Sequence, residues 1–298
     1  MSLTLKYRPK VFGGFVGAAA RQNLLRLLKF RLSRPTIDVT VDDYTQRIWE
    51  PLIIGLIAPK GGGKSTGMRL IGKGLFCTQG ADGGPCGICE TCASFDMQHE
   101  TGWGIFDIPD KFPSRTPSTA APDRYFFESY DFAANNKDAI RRIHQIITPN
   151  RCLSNPLTKA YPEVVLIDEA HRAQRPNQEL LLTGLHGRVC SSVIFCIAEE
   201  NLHKIDPALQ RRMDKIFIAL PEIGELVEYV RYVADQERIK IDGNLAAADL
   251  VQGVEFVTAN ALRMLDQALK FEATVTSDWV AKTLPIVLPP DTKGENEE

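Results

Sequence analysis

Lys64 and Ser65 follow three consecutive glycines in the stretch Ala58-Pro-Lys-Gly-Gly-Gly-Lys-Ser-Thr66, an order of residue types suited to holding phosphate. Successive backbone N–H groups opening onto a helix N-terminus attract anions, because the unpaired donors and the helix dipole point the same way. Gly61, Gly62 and Gly63 admit close approach of the backbone, and Pro59, Lys60 and Thr66 complete the loop. Lys64 is placed to reach the β and γ phosphates and Ser65 to ligate Mg2+, so the loop reads as a site for ATP with Mg2+. Ala58 occupies an entry position where glycine is common for its dihedral freedom. In extended backbone a methyl group costs little there, and the glycines nearest the phosphates are intact.

Roughly a hundred residues downstream, Val164-Val-Leu-Ile-Asp-Glu-Ala-His171 reads as a buried strand ending in two carboxylates. Asp168 can join the Mg2+ shell and Glu169 can take a proton from an attacking water. Either motif alone has an ordinary explanation, a flexible turn or a polar strand end. Together, at this separation, they describe a nucleotide-hydrolysing site.

Cys77, Cys86, Cys89 and Cys92 fall within 16 residues, and three further cysteines stand elsewhere, at 152, 190 and 196. Gly83, Gly84, Pro85 and Gly87 supply the turns that four thiolates need to close round one ion. Four closed ligands leave no open coordination position, which favours a structural Zn2+ over a catalytic one. Free thiols and an iron–sulfur cluster are the competing readings.

These groups need elements to position them. An apolar run at 52–58, the loop, and a helix-compatible segment from Lys64 give strand, loop and helix in the order a phosphate loop requires. Residues 19–32 repeat apolar side chains at helical spacing, and Ser33 to Trp49 reads as a polar connector. The proline-rich stretch 101–124 reads as a surface insertion. Strands are expected at Phe126–Asp131, Glu163–Ile167 and Ser192–Ala198, with helices at Lys137–Ile147 and Gln178–Leu185. That alternation predicts a parallel α/β sheet with helices on both faces. Beyond Pro221 only helical patterns occur: 222–236, 245–256, 259–272 and a short one near 277–283. The expected organisation is a nucleotide-binding domain at 1–220 containing the cysteine module (77–92) and the insertion (101–124), a helical lid at 221–288, and a polar tail at 289–298.

The chain has 298 residues, a formal net charge of -2 and an ordinary balance of apolar and charged residues, which gives no global electrostatic footprint for nucleic acid. Its apolar runs are too short to span a bilayer and the N-terminus has no leader-like stretch, so the expectation is a cytoplasmic protein without a membrane partner.

Taken together, these residues resemble the bacterial DNA polymerase III clamp-loader gamma/tau family, which are AAA+ ATPases. The opening Lys6 to Gly17, KYRPKVFGGFVG, is similar to that family's N-terminal signature. The cysteine spacing just after the phosphate-loop helix is similar to its zinc module. Phe127 to Arg141, FESYDFAANNKDAIR, is similar to the strand and helix preceding its carboxylate strand. The resemblance covers residues 4–287 and implies an ATP-dependent motor subunit that loads a sliding clamp on primed DNA.

It also implies roles for particular residues. Tyr7, Arg8, Pro9 and Val16 would lie against the adenine. Glu199, Glu200 or Asn201 would be the polar residue near the γ-phosphate, Asn201 being the chemically plausible one. Arg212 would be the arginine finger acting on a neighbour's nucleotide, with Arg211 as the alternative. Arg263 would substitute for a phosphate-sensing arginine whose aligned position holds Ala259. Implied partners are further clamp-loader subunits in a hetero- or homo-oligomeric ring, the sliding clamp, and primer-template DNA gripped by its backbone. The chain departs from the family after the carboxylate strand, where residues 181–188 lack an acidic-proline segment, and the expectation is that no helical collar follows the lid. Those departures suggest a phage or mobile-element origin. They keep two alternatives in play: an AAA+ ATPase of another DNA transaction such as transposition or defence, and a weakly hydrolysing scaffold.

Overall fold

The computed structural model describes residues 2–32, 36–41, 44–49, 51–77, 79, 84–98, 103–107, 124–132, 137–147, 160–186 and 192–288. Eight strands run in chain order: β1 (Thr36–Val41), β2 (Tyr44–Trp49), β3 (Ile53–Ala58), β4 (Trp103–Asp107), β5 (Arg124–Asp131), β6 (Ala160–Asp168), β7 (Ser192–Ala198) and β8 (Asp214–Phe217). The helices are α1 (Leu3–Lys6), α2 (Ala18–Leu32), α3 (Lys64–Phe76), α4 (Glu90–Gln98), α5 (Lys137–Ile147), α6 (Arg175–Gly184), α7 (Pro207–Gln210), α8 (Ile223–Glu237), α9 (Gly243–Gly253), α10 (Thr258–Lys270) and α11 (Ser277–Val287). Among the described residues no helix is long and apolar enough to cross a membrane.

Six strands form one sheet in the order β4-β5-β6-β7-β3-β8. Strands β5, β6, β7, β3 and β8 pair in parallel, while β4 joins antiparallel to β5 at one edge. Parallel strands buried on both faces must be continuously apolar. SVIFCIA in β7 is buried at every position, and IIGLIA in β3 at all but its first. Helices α5 and α6 contribute Ile140, Ile143, Ile147 and Leu181 to the core around Val165, Ile167, Phe195 and Ile197.

Several segments differ from their sequence expectation. The polar connector is in fact a hairpin, β1 pairing antiparallel with β2 from Thr36↔Trp49 to Val41↔Tyr44. Part of the expected surface insertion is strand: Trp103–Asp107 extends the main sheet, and the rest of that insertion lies outside the described residues, apart from Arg124 at the start of β5. The tail at 289–298 also lies outside them. Helix α11 runs on through Pro285 to Val287, four residues past its expected end.

The chain divides into two compact units. One holds Lys10–Gly13 and Gln22–Ile218, and the other Met1–Pro9, Gly14–Arg21 and Ala219–Glu298. The helical unit therefore takes in N-terminal residues that the sequence pattern assigns to the sheet domain. The reason is packing: Leu3 is buried among Leu226, Val230, Leu262 and Leu265, and Glu237 accepts hydrogen bonds from Tyr7 and Lys6. Helix α8 opens with a reciprocal capping box between Glu222 and Glu225, and Glu225 also accepts the Ala18 N–H at 2.7 Å.

Within the sheet unit, the fully buried Phe95 of α4 packs on Phe127 of β5, ring centroids 4.4 Å apart, and its Cζ lies 3.2 Å from where a Cβ on Gly72 would stand. Truncating it leaves a cavity that these rigid neighbours cannot fill. Phe95→Ala is expected to destabilise the sheet unit by about 3–5 kcal/mol, seen as a lower urea midpoint in equilibrium unfolding.

Candidate active site and metal centre

Strand β3 ends at Ala58, which is fully buried and pairs with Ala198 of β7. The chain then turns through Pro59 and Lys60 into Gly61 and Gly63, both at positive φ (78° and 87°), the region where a side chain is strained. Gly63 caps α3, whose first residues are Lys64, Ser65 and Thr66. Gly62 donates to the Pro59 carbonyl at 2.9 Å, and a Cβ on Gly62 would lie 3.0 Å from that oxygen and 3.1 Å from the Ala58 methyl. The methyl on Ala58 is thus accommodated in the strand, and tolerance for further bulk ends at Gly62.

Lys64 is buried, with Nζ 3.5 Å from the Pro59 carbonyl oxygen. Ser65 Oγ donates to Asp168 Oδ2 at 2.5 Å, bringing the loop and the carboxylate strand into direct contact. The other Asp168 oxygen accepts the Glu169 N–H at 2.9 Å. Glu169 stands in left-handed backbone (φ 51°), which turns the chain sharply off the end of β6. Its carboxylate lies 3.3 Å from His171 Nε2 and 3.5 Å from Arg172 Nε. Burial lowers the His171 pKa against the opposing pull of Glu169, and its Nδ1 is buried with no hydrogen-bond partner. The imidazole is therefore neutral near pH 7.

Asn201 lies beyond β7 in a short 3-10 turn, Glu199–Lys204, and is half-buried where Glu199 and Glu200 are exposed. That difference favours Asn201 among the three residues considered at this strand end. Arg212 donates through Nη1 to the Leu185 carbonyl at the end of α6, while Arg211 beside it is exposed. Arg263 lies exposed on α10 of the helical unit, its Nη1 donating to Asn260 Oδ1 at 3.3 Å. Tyr7, Arg8, Pro9 and Val16 belong to the same unit. Burial, then hydrogen bonding to Glu237, raises the Tyr7 pKa, so its hydroxyl stays protonated. The sheet unit alone thus assembles Pro59, Lys60, Gly61, Gly62, Gly63, Lys64, Ser65, Thr66, Asp168 and Glu169.

The four cysteines converge, all four Sγ atoms lying within 4.8 Å of one another. The Cys77–Cys89 and Cys86–Cys92 sulfur separations are both 4.0 Å. Tetrahedral zinc with Zn–S bonds of about 2.3 Å requires sulfurs about 3.8 Å apart, close to these two separations, so the four thiols could hold that ion. Two N–H groups point at sulfur, Cys86 to Cys77 and Cys89 to Cys86, each at 3.3 Å. Hydrogen bonding from Cys92, then the Cys86 N–H, draws the Cys77 thiol down to about 4, the thiolate form a metal takes, against the cost of burial.

One neighbour of this centre carries no motif in the sequence. Asp96, one turn beyond Cys92 on α4, accepts hydrogen bonds from Lys73 Nζ at 2.7 Å and Arg69 Nη2 at 2.9 Å, both on α3. The available signal is two cations spaced i, i+4 on the phosphate-loop helix. His171 beside Glu169 stands inside the carboxylate motif, and its residue type alone assigns it no role there.

Sheet order, phosphate loop and carboxylate strand together define a P-loop AAA+ fold with an inserted four-cysteine module and a helical unit. Solved structures agree: the RuvB Holliday junction branch migration motor of Thermotoga maritima superposes with a TM-score of 0.51 over 94% of this chain and 72% of that one, at 17% identity. A K64R mutant of the same motor gives 0.52 at 16% identity. No family model matches the chain. Among curated proteins, the DNA polymerase III subunit gamma/tau of Mycobacterium tuberculosis strain H37Rv is 32% identical over 243 residues, 81% of this chain and 34% of that protein. The subunit tau/gamma of Haemophilus influenzae is 20% identical over 286 residues, 96% of this chain and 35% of that protein. The protein STICHEL-like 3 of Arabidopsis thaliana matches 81% of this chain at 22% identity and 18% of its own length. The chain is a divergent relative of the DNA polymerase III gamma/tau subunits, and it spans about a third of their length.

The loop and the metal centre can each be tested directly. Ala58→Gly is expected to leave the dissociation constant for Mg-ATP within about twofold while costing about 0.5–1 kcal/mol of stability, whereas Gly62→Ala weakens nucleotide binding substantially; equilibrium titration with a fluorescent analogue reads both. Elemental analysis of the gently purified chain is expected to find one zinc per chain, and a Cys89→Ser, Cys92→Ser variant to have lost it.

Proposed function

We propose that this chain is a Mg-ATP-hydrolysing motor subunit of a sliding-clamp loader. The observation that carries the reading is the direct Ser65–Asp168 contact beside Lys64 and Glu169, since a pure scaffold has no physical need for that constellation. The amides of the loop and Lys64 hold the phosphates, and Ser65 and Asp168 hold Mg2+. Mg2+ held there would supply neutralisation of the charge that develops on the phosphates during transfer. Glu169, at the end of β6 beside His171, orients a water and accepts its proton. Asn201 supports that water from the adjacent strand end. Tyr7, Arg8, Pro9 and Val16 are the proposed adenine contacts, and Arg263 the proposed phosphate contact.

An arginine from one subunit completes the site of the next, which makes turnover depend on ring assembly. Arg212 already donates to the Leu185 carbonyl of its own chain, so the exposed Arg211 is the second candidate for this role. In this reading the cytoplasmic ring closes on a sliding clamp and on the backbone of primer-template DNA when ATP binds, and releases them on hydrolysis. DNA binding of that kind weakens steeply with salt. The likeness to a branch-migration motor supports a second reading, an ATPase of another DNA transaction.

Steady-state hydrolysis, alone and with clamp, partner subunits and primed DNA, tests the motor. Glu169→Gln is expected to bind ATP normally and turn over about 10²–10⁴-fold more slowly, and Lys64→Ala to lose binding. Equal turnover in the wild type and both variants would sink the motor reading. Stimulation by branched DNA but not by clamp with primed DNA would favour the second reading. Arg211→Ala and Arg212→Ala, mixed with a Glu169→Gln partner, identify the finger as the one whose loss abolishes stimulation in trans.

A further inference from the structure

Helix α3 carries the phosphate loop at one end and the first metal thiol at the other. Lys64 begins the helix, and Cys77 is its C-cap residue, its N–H donating to the Gly74 carbonyl at 3.3 Å. A helix of 13 residues is about 20 Å long, with partial positive charge at the phosphate end and partial negative charge at the cysteine end. An anion at the first and a metal cation at the second complement the same dipole. A bare thiolate at the second is disfavoured.

The module is fastened along the side of this helix as well. Asp96 of α4 accepts from Lys73 and Arg69 of α3 at 2.7 Å and 2.9 Å. The Lys73 side chain has no exposure to solvent, so losing Asp96 would strand a buried cation. Such a pair adds little net stability but fixes how its two elements meet, and breaking one side is costly. Phe95 fills the space over Gly72 on the same helix. The module reaches forward too: a Cβ on Gly87 would lie 2.8 Å from Val11 Cγ1, and one on Gly84 2.8 Å from Phe12 Cδ2.

We propose that the four-cysteine module is the second anchor of the phosphate-loop helix, so that zinc at the cysteines and nucleotide at the loop stabilise each other through α3 and the Asp96 clamp. The proposal rests on the reading of the loop as a nucleotide site. Zinc binding ties Cys77 to Cys92 and thereby sets α4. Helix α4 holds Lys73 and Arg69, and these fix the helix whose N-terminus presents Lys64 and Ser65. Nucleotide binding fixes the same helix from its other end. Coupling of this kind is reciprocal: the factor by which zinc tightens nucleotide binding equals the factor by which nucleotide tightens zinc binding.

The experiment uses the full chain, zinc-loaded or stripped with a thiol-displacing reagent and then re-reduced, and titrates it with mant-ADP and Mg2+. In parallel, zinc affinity is measured by competition with a chromogenic chelator, with and without saturating ADP. The expected result is a change of about fivefold or more in each constant, and the same factor in both. In the paired variant Lys73→Met, Asp96→Asn, which removes both charges and leaves every thiol in place, zinc stays stoichiometric and the factor falls toward one. Arg69→Gln, which spares the buried pair, gives an intermediate factor and serves if the paired variant does not fold, as judged by circular dichroism. Binding of mant-ADP with one constant in both metal states overturns this proposal alone. Full coupling retained in the folded variants overturns the clamp. No binding of mant-ADP to the zinc-loaded wild type overturns the nucleotide reading, and this proposal with it.

Discussion

Between their ends, the sheet's central strands have no room for unpartnered polar groups, and that constraint decides where the chemistry can be. Strands β3, β6 and β7 pair in parallel, with Val165↔Val193, Ile167↔Phe195 and Ala58↔Ala198 in register, and they are buried where they pair. A hydroxyl, carboxylate or ammonium in those runs would lose its water without a partner, at a cost of kilocalories per group. Polar residues are therefore expelled to the strand ends. Because the strands run the same way, the ends that carry Ala58, Asp168 and Ala198 lie on one rim. The glycine loop, Glu169 and the turn holding Asn201 leave the strands there and gather on that rim. Parallel pairing thus brings together residues that are far apart in the chain.

The same constraint explains why so much is legible without a structure. Continuous apolar runs such as VVLID and SVIFCIA announce buried parallel strands, and the phosphate loop and carboxylates sit at their ends by necessity. The cysteine cluster is legible because metal geometry imposes spacing. The hairpin β1–β2 is not, since a polarity average hides the period of two in TIDVTV, and YTQRIW places Thr45, Gln46 and Arg47 in a row. WGIFD is obscured by the prolines beyond it. The placing of residues 1–9 with the helical unit depends on where Leu3 finds apolar neighbours, which no local pattern encodes.

The sites also differ in how far they can be derived. Gly61, Gly63 and the Ser65–Asp168 contact rest on backbone geometry and simple acid–base chemistry. The engagement of Arg212 with Leu185, and the triad of Asp96, Lys73 and Arg69, join residues of separate elements. Their partners are fixed by the angles at which those elements meet, and several arrangements would satisfy the same sequence. Ala58 is the instructive middle case: its departure from the usual glycine looks serious as text and is mild in space, because the extended strand gives its methyl a place.

Among the described residues the main sheet ends at β4 on one side and β8 on the other. Strand β8 is four residues long, and it exposes Asp214 and Lys215. An edge so short and so charged discourages another chain from adding a strand. In the ring proposed above, that edge would leave a neighbour to be recognised through side chains on loops and helices rather than through a backbone ladder on β8. Backbone ladders accept almost any sequence, whereas side-chain interfaces can be rewritten residue by residue. A lineage with this architecture can exchange one set of neighbours for another while its catalytic rim stays as it is.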